Sequence, residues 1–354
     1  MTSALILYGG RSSEHEISCL SARSVLEVLD RDRWDVITVG ITRDGRWTLT
    51  DGDIEPVAGR PLPEVDEAGT TVGLVGSRSG PRLLSLDEST GRAETVAEPR
   101  VAFPVLHGPF GEDGTVQGLL DSVGLPYVGA DVTASSIGVD KAAMKAAFGA
   151  AGLPQGEYRI VSRRTWKQDP DAVQAQLADL PLPWFCKPAR QGSSIGISKV
   201  DTPDELAEAL AEAYRYDEVA VVEQGLTEPR ELEVGVMGAG ELSVTAAGEI
   251  RPSHEFYDFE AKYLDDSELV VPAELPEGYA GRVDELARKA YEAIGCRGMA
   301  RVDLFLVDGE LLVNEINTIP GFTPNSMFPR LWDAEGLPYP ALVDRLLQSA
   351  LDEA

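Results

Sequence analysis

Two neighbouring segments near the carboxyl end of the chain carry charged and amide side chains at the spacing of β-strands. Residues 299–307 and 311–317 are each predicted to form a strand, and residues 308–310 are predicted to form the turn between them. Side chains alternate between the two faces of a strand, so polar residues two apart share a face. The polar residues with this spacing are Arg301, Asp303, Glu315 and Asn317.

The length of the turn decides whether the two polar faces coincide. A two-residue Asp-Gly turn places Asp303 opposite Asn314 and directs Glu315 to the other face. A three-residue loop with Gly309 in a left-handed conformation brings the polar residues together and also pairs apolar side chains, so we predict that loop. The predicted cross-strand pairs are Val307 with Leu311, Leu306 with Leu312, Val302 with Ile316, Asp303 with Glu315, and Arg301 with Asn317.

Two carboxylates and one amide on a rigid hairpin offer hard oxygen ligands. Asp303, Glu315 and Asn317 are therefore candidate ligands for Mg²⁺ that carries substrate phosphates. The same spacing fits an ordinary surface pair between Arg301 and the acidic residues equally well.

Lysines and a small-residue loop form a second group of candidates. Lys187 ends a predicted strand and precedes the loop 192–194, where backbone N–H groups could approach an anion that the lysine neutralises. A glycine-serine loop is more often only a turn, and Lys141, at the start of a helix, is by default a surface lysine. Lys262 and Tyr263 lie in an aromatic-rich loop, 256–263, that is either a water-excluding lid or a hydrophobic plug.

Three further residues have both a structural and a functional interpretation. Ser13 and Glu16 have the spacing of a capping box, which places Glu14 in the first turn of a helix. There Glu14 either interacts with the helix dipole or holds an ammonium group. Ser326 either caps a turn or binds a carboxylate, and His107 is more commonly a core histidine than a ligand.

The order of predicted elements indicates an α/β protein with α+β parts. Strand, turn, helix and strand at the amino end form a βαβ unit. Residues 51–100 are rich in Gly, Pro, Asp and Ser and are predicted to be irregular strands and loops that decorate this unit. From about residue 140 the pattern changes to strand, loop, strand, helix, strand, which is typical of α+β structure. The predicted domains are residues 1–138, 139–223 and 224–354.

Composition excludes several classes of protein. The 354 residues include 31 Lys and Arg against 59 Asp and Glu, a net charge of −28, so we expect no nucleic-acid partner. Apolar runs are too short to span a membrane, and the first residues lack the features of a signal peptide, so we expect a cytoplasmic protein without membrane insertion. Its 3 cysteines are scattered and form no CxxC pair. The Walker A, GxGxxG, HExxH and GxSxG motifs are also absent from the sequence.

Six segments in this order resemble the D-alanine–D-alanine ligases of the ATP-grasp superfamily, and the similarity extends over essentially the whole chain. The segments are residues 9–18, 107–114, 187–194, 256–263, 301–303 and 315–323. The resemblance implies an ATP-grasp fold, in which an amino-terminal α/β substrate domain precedes two α+β domains that hold ATP between them. It also implies a homodimer.

The resemblance further implies roles for individual residues. Residues implied in ATP binding are Lys141, Lys187, Ser193, Ser194, Glu223, Gln224, Leu226, Glu231 and Lys262. Residues implied to hold two Mg²⁺ ions, with Mn²⁺ as an alternative, are Asp303, Glu315 and Asn317. Residues implied in substrate binding and catalysis are Glu14, His107, Ser193, Tyr263, Arg301, Gly321 and Ser326.

Within that last group the roles differ. Glu14 is implied to bind the ammonium of the first D-alanine, beside His107, and Ser326 the carboxylate of the second. Arg301 and the backbone N–H of Gly321 are implied to stabilise the oxyanion of the tetrahedral intermediate. Together with Ser193 and Tyr263, Glu14 is implied to tie the first domain to the lid.

The implied reaction joins two D-alanines through a D-alanyl phosphate, with ATP as cosubstrate, for peptidoglycan precursors. Three alternatives remain. In the first two the acceptor is D-lactate or D-serine instead of D-alanine, and in the third the chain is a non-catalytic nucleotide-binding relative. The pair of Lys262 and Tyr263 favours an amine acceptor over D-lactate.

Overall fold

The computed structural model describes residues 1–56, 62–251 and 268–353. The predicted lid, including Lys262 and Tyr263, lies outside the described residues. Within the described parts of the chain, no helix is long and apolar enough to cross a lipid bilayer.

The first sheet has seven strands in the spatial order β6-β5-β4-β3-β2-β1-β7. The strands are β1 (Thr2–Gly9), β2 (Trp34–Ile41), β3 (Trp47–Thr50), β4 (Thr70–Ser77), β5 (Gly80–Asp87), β6 (Arg92–Ala97) and β7 (Val101–Pro104). β1 pairs in parallel with β2 and β7, whereas β3 to β6 form an antiparallel meander that continues the sheet. The predicted strands and loops are present in residues 51–100, but β4 to β6 are largely regular strands that extend the sheet, so the expectation of irregular strands is wrong for them. Burial of Val72, Leu74 and Leu83 against the sheet's core supplies the order that the weak local pattern did not indicate.

Helix α1 (His15–Val28) follows β1, and its start differs from the predicted capping box. Glu14, not Ser13, occupies the N-cap position, and the Ser12 hydroxyl accepts a hydrogen bond from the Glu14 N–H at 3.0 Å. Glu16 instead forms an ion pair with Arg43. The Glu16 side chain, which the capping box would have used, is thus bound instead to a residue distant in the sequence. Helices α2 (Thr115–Val123) and α3 (Val132–Val139) complete this part of the chain.

The second sheet has four antiparallel strands in the order β10-β9-β11-β8. The strands are β8 (Tyr158–Ser162), β9 (Trp184–Pro188), β10 (Ser198–Val200) and β11 (Val219–Gln224). The accompanying helices are α4 (Lys141–Ala150), α5 (Arg163–Gln168), α6 (Pro170–Leu177) and α7 (Leu206–Ala213).

The third sheet has the order β15-β14-β12-β16-β17, with β13 paired to β12. The strands are β12 (Arg230–Met237), β13 (Ser243–Val244), β14 (Gly248–Arg251), β15 (Glu268–Val270), β16 (Met299–Val307) and β17 (Glu310–Asn317). Three helices follow in the chain or lie between these strands: α8 (Tyr279–Ala293), α9 (Met327–Ala334) and α10 (Tyr339–Asp352).

The hairpin β16–β17 reaches the predicted polar pairing by a different route. Its turn has two residues, Asp308 and Gly309, with φ of 51° and 80°, so the predicted three-residue loop is wrong. Near the turn Val307 pairs with Glu310, and Leu306 pairs with Leu311 rather than with Leu312. A β-bulge then leaves Asn314 as an extra residue. Beyond the bulge the predicted pairs hold: Asp303 with Glu315, Val302 with Ile316, and Arg301 with Asn317.

The last helix, α10, packs against the amino-terminal part of the chain. The apolar side of α10 is buried in the same hydrophobic core as β1, β7 and α1, with Leu342 and Leu347 fully buried. Asp344 of α10 forms an ion pair with Arg33 and accepts a hydrogen bond from Trp34 Nε1 at 2.9 Å. This packing holds the third sheet's carboxyl-terminal extension against the first sheet.

Candidate active site

A cavity of about 980 Å³ opens where loops of the first sheet meet the second and third sheets. Every candidate residue that lies in the described part of the chain lines it. These residues are Glu14, His107, Lys141, Lys187, Ser193, Ser194, Glu223, Gln224, Leu226, Glu231, Arg301, Asp303, Glu315, Asn317, Gly321 and Ser326. The volume is at the upper end of that of small-molecule sites and suits a nucleotide together with small substrates.

One wall of the cavity is the polar face of β12, β16 and β17. Arg301 donates from Nε and Nη2 to the two carboxylate oxygens of Asp303, both at 2.7 Å, and Asn317 Nδ2 donates to Asp303 Oδ2 at 3.0 Å. Arg301 Nε also lies 3.1 Å from Glu233 Oε2. Burial lowers the pKa of Arg301, but the charges of Asp303 and Glu233 outweigh that effect and raise the pKa well above its usual value. The guanidinium is thus a permanent, pre-oriented cation.

Glu233 is a site residue that sequence reasoning missed. It pairs with Asp303 across β12 and β16, and Glu315 pairs with Asp303 from the other side. Three carboxylates therefore lie side by side on three strands. The alternation of Glu231 and Glu233 along β12 was a signal for this, but only the sheet order places β12 next to β16.

The donor set on this wall has the chemistry of a magnesium site. Asp303, Glu315 and Asn317 present two carboxylates and an amide, which are hard oxygen ligands. Their cluster includes only two acidic groups, and the described residues include no group of three or more His, Cys, Asp or Glu side chains arranged around a common point for a metal. A divalent cation here would therefore draw further ligands from water and from the phosphates of a bound nucleotide.

A second wall of the cavity is formed by β9, β11 and α4, and in it two lysines form ion pairs with the same carboxylate. Lys187 Nζ lies 2.6 Å from Glu223 Oε2, and Lys145 Nζ lies 2.9 Å from Glu223 Oε1. Burial raises the pKa of Glu223, but the two lysines outweigh burial and lower it to about 2. Burial likewise lowers the pKa of Lys187, and Glu223 more than compensates, so the pKa is raised. Both groups are therefore charged at neutral pH.

Lys145 is a second residue that sequence reasoning missed. It is almost fully buried, and its ammonium lies 5.1 Å from the centre of the Tyr158 ring. Its position four residues after Lys141 places both lysines on one side of α4, which was the available signal. Lys141 is not a free surface lysine, because its Nζ donates to the carbonyl of Gln191 at 2.6 Å.

The small-residue loop after β9 adopts an unusual backbone conformation. Ser193 and Ser194 have φ of 49° and 58°, in the left-handed region that serine rarely adopts. The Ser193 hydroxyl donates to Glu14 Oε1 at 2.5 Å, which joins the second sheet's loop to the start of α1. Gly108 lies close to the same carboxylate, since a Cβ there would be 2.4 Å from Ser12 Oγ and 3.0 Å from Glu14 Oε2.

His107 lies on the same side of the cavity as Glu14. Its Nε2 is 3.0 Å from the Ser21 hydroxyl, and its Nδ1 is 3.6 Å from Glu112 Oε1. Burial lowers the pKa of His107, but Glu112 and Glu14 outweigh burial, so the pKa is raised above its usual value. His107 is therefore buried, as a core histidine would be, and also faces the cavity.

Ser326 occupies the N-cap position of α9, and its hydroxyl is bonded to Thr323. It accepts from the Thr323 N–H at 3.1 Å and lies 2.9 Å from Thr323 Oγ1. Gly321 lies against it, since a Cβ on Gly321 would be 3.0 Å from Ser326 Oγ. Both residues line the cavity beside the polar face of β16 and β17.

Comparison with known proteins gives a consistent result. Residues 3–130 match the family model for the D-ala D-ala ligase N-terminus, and residues 147–348 match the model for the D-ala D-ala ligase C-terminus. The chain is 48% identical to a D-alanine–D-alanine ligase of Mycobacterium ulcerans, over 98% of this chain and 94% of that protein. It is 45% identical to the enzyme of that name from Pseudarthrobacter chlorophenolicus, over 98% and 93%.

Solved structures with the same fold include two ligases. The VanG D-Ala:D-Ser ligase from Enterococcus faecalis has a TM-score of 0.83 and 32% identity, covering 99% of each chain. The D-alanine–D-alanine ligase from Coxiella burnetii has a TM-score of 0.83 and 31% identity, covering 99% of this chain and 94% of that one. On both the sequence and the structural comparisons, the chain belongs to the D-alanine–D-alanine ligase family and has its ATP-grasp fold.

Proposed function

We propose that this protein uses ATP to join two D-alanine molecules into D-alanyl-D-alanine for peptidoglycan precursors. The observation that carries the proposal is the cavity in which an acidic residue at the start of α1, Glu14, meets a lysine-rich wall and an acidic wall. Relatives at 45% and 48% identity over almost the whole chain bear the name of this activity.

The lysine-rich wall suits a nucleotide. We assign Lys141 and Lys187 to the phosphates of ATP, with the backbone N–H groups of the loop 192–194. We assign the edge of the cavity near Glu223 to adenine and Glu231 to ribose. Residues Gln224, Leu226, Ser193 and Ser194 complete this proposed site. Lys262, on the lid, is proposed to reach the γ-phosphate.

The acidic wall suits the charge that develops during phosphoryl transfer. Asp303, Glu315 and Asn317 would hold Mg²⁺, or Mn²⁺, and such an ion would neutralise negative charge on the phosphates. The proposed number of ions is two. Arg301, held in place by Asp303 and Glu233, lines the cavity on this wall.

The chemistry explains why ATP is needed. A carboxylate is a poor acyl donor because its leaving group would be an oxide. Transfer of the γ-phosphoryl group to a carboxylate oxygen of the first D-alanine gives ADP and an acylphosphate. The neutral amine of the second D-alanine then attacks the acyl carbon, phosphate leaves, and the amine loses a proton. Arg301 and the N–H of Gly321 would stabilise the oxyanion that forms.

The remaining assignments concern the substrates. Glu14 would bind the ammonium of the first D-alanine, next to His107, and Ser326 the carboxylate of the second. A hydrogen-bonded group of Glu14, Ser193 and Tyr263 would close the lid and exclude water from the acylphosphate. We also propose a cytoplasmic homodimer with units 1–138, 139–223 and 224–354. The proposed use of ATP, and cysteine thiols that are typical of a reducing compartment, support the cytoplasmic location.

D-Serine is the second candidate acceptor, because one of the similar solved structures is a D-Ala:D-Ser ligase. The test measures phosphate release from Mg-ATP between about pH 6 and pH 9. The protein receives D-alanine alone, then D-alanine with D-serine, then D-alanine with D-lactate, and products are identified by mass spectrometry. We expect phosphate release and D-alanyl-D-alanine with D-alanine alone. Release only after D-serine or D-lactate is added would change the acceptor, and no release in any mixture would contradict the proposed function.

A further inference from the structure

One face of α1 carries three buried polar side chains at helical spacing. His15, Ser18 and Ser21 are three residues apart and at most 1% exposed. Ser18 accepts from the Gly9 N–H at 2.8 Å and donates to the carbonyl of Val105, while Ser21 contacts His107. This polar face therefore ties α1 to the carboxyl ends of the central parallel strands, where the cavity opens.

The contacts of His15 specify its protonation state. Its Nδ1 is 2.8 Å from the carbonyl oxygen of Gly10, and its Nε2 is 3.2 Å from the amide nitrogen of Val65. A carbonyl only accepts a hydrogen bond and an amide N–H only donates one. Both contacts are satisfied only if Nδ1 carries the proton and Nε2 does not. The contacts therefore require a neutral imidazole in the Nδ1–H tautomer.

His15 joins the glycine turn after β1 to a segment fifty residues further along the chain. The turn approaches so closely that a Cβ at Gly9 would lie 2.6 Å from a methyl of Val65 and 3.0 Å from His15 Cε1. Glu14 directly precedes His15, and the Glu14 carbonyl accepts from the Ser18 N–H at 3.0 Å. Movement of the imidazole would therefore move the backbone that carries the Glu14 carboxylate.

We propose that His15 is a positioning residue for Glu14, and that its neutral ring holds the subsite for the first substrate's ammonium group in place. The proposal rests on the proposed function, because it concerns the same subsite. His15 itself is not assigned contact with substrate.

Charged groups around His15 set the pH at which this link breaks. Glu16 of α1, Arg43 of the β2–β3 connection and Glu64 beside Val65 face it, and Arg43 pairs with both acids. Burial lowers the pKa of His15, and Arg43 adds to this effect, while the Gly10 carbonyl and the two acids oppose it. The pKa in the folded protein is therefore below 6.5. The stabilisation by the neutral ring is complete above that value and declines as the pH falls below it. Affinity for the first D-alanine should decline with it.

The first experiment needs no enzymatic activity. Nitrogen-15 NMR of histidine-labelled protein reports the tautomer and pKa of each ring, and His15→Asn identifies the His15 signals. We expect the neutral Nδ1–H tautomer, with a titration midpoint below 6.5. The Nε2–H tautomer, or a midpoint at or above 6.5, would overturn the proposal whether or not the protein is a ligase.

The second experiment separates the two D-alanine subsites kinetically. In His15→Asn the amide keeps a donor for the Gly10 carbonyl but loses the acceptor for Val65. We expect the KM of the first D-alanine to rise about tenfold at pH 7.5, as for the loss of one buried hydrogen bond, with kcat and the KM for ATP changed less than about twofold. The variant should also lose the acid-side weakening of first-site affinity. Ser24→Ala, which removes a hydroxyl bond within α1 away from the cavity, is the matched control and should leave all constants unchanged.

A purely structural role predicts a different result. If His15 only stabilises the fold, His15→Asn lowers kcat per mole of protein through loss of folded enzyme and leaves both D-alanine constants unchanged, which would overturn the proposal. If His15→Asn does not fold, His15→Gln supplies an acceptor near the position of Nε2 and is tested in the same way. If the wild type makes no dipeptide, calorimetric titration of D-alanine into nucleotide-loaded protein replaces the kinetic readout. Equal affinities of wild type and variant would then refute the positioning role.

Discussion

At the residue scale, Asp303 is the most heavily shared side chain of the acidic wall. Its carboxylate binds Arg301 through both oxygens and accepts from Asn317, while Glu233 and Glu315 flank it on the neighbouring strands. Three carboxylates thus surround one guanidinium in a largely buried setting. Such an excess of negative charge favours an added cation, which is the physical basis for the proposed magnesium site.

We expect Glu315→Ala to abolish turnover with little effect on stability. The change removes a proposed metal ligand, worth more than about 100-fold in rate, while relief of repulsion from the neighbouring carboxylates offsets the lost attraction to Lys187 and Arg301. Phosphate release under saturating Mg-ATP and D-alanine measures the first effect, and the thermal unfolding midpoint the second. Glu310→Ala, an exposed glutamate at the other end of the same strand, should retain full activity. Activity in Glu315→Ala within about tenfold of wild type would show that the metal assignment is wrong.

At the element scale, the hairpin β16–β17 depends on two departures from regular structure. The Asp308-Gly309 turn has positive φ at both positions, which is the geometry of a type I′ turn, and the bulge at Asn314 compensates for its length. Together they place Glu315 on the same face as Asp303. The acidic wall is therefore a property of the hairpin's geometry as well as of its residue types.

We expect Gly309→Ala to destabilise the protein by about 1 kcal/mol, because alanine is strained at a φ of 80°. The matched control is Gly281→Ala in the first turns of α8, where a Cβ would meet no atom within 4 Å among the described residues. There alanine should stabilise by about 0.5–1 kcal/mol through its helix propensity. Urea titration of each variant gives its free energy of unfolding and tests both expectations. Equal effects of the two changes would contradict the left-handed conformation of Gly309.

At the scale of the whole molecule, α10 connects the chain's last residues to its first sheet. Its buried leucines share a core with β1, β7 and α1, and Asp344 is paired with Arg33 across the same contact. The loops that carry Glu14 and His107 start from this core. The relative position of the first sheet and the acidic wall therefore depends on the carboxyl-terminal helix.

We expect Leu347→Ala to lower the free energy of unfolding by about 2–5 kcal/mol, as for a fully buried leucine that leaves a cavity. Leu351→Ala, one turn later and only partly buried, should cost clearly less. Chemical denaturation measures both. Because Leu347 does not line the active-site cavity, kcat per folded molecule should be unchanged at low temperature. An equal, small loss in both variants would show that α10 is not packed on the first sheet.

Several elements could be predicted from local pattern. The strand Met299–Val307 has the predicted bounds and its partner Glu310–Asn317 begins one residue before the predicted start, because apolar residues recur along both with strand periodicity. The sequence indicated strands in this part of the chain but not a regular meander from β4 to β6, since these strands are largely exposed and their order comes from pairing with one another and from a few buried apolar residues. The bulge at Asn314 was missed for a similar reason. Local sequence favours a turn length, whereas burial of Val302 and Ile316 sets the register beyond it.

The sequence by itself determined which chemical groups are present, their periodicity along single elements, and the family to which the chain belongs. Those properties depend on residue types and on spacing within short stretches. The resemblance already implied the contact of Ser193 with Glu14, whereas only the tertiary structure decided other partners: Lys145 beside Lys187 on Glu223, and Glu233 against Arg301. Such contacts depend on which strands become neighbours and which sheets pack together. That choice is made by burial of apolar surface over the whole molecule, which no local pattern specifies.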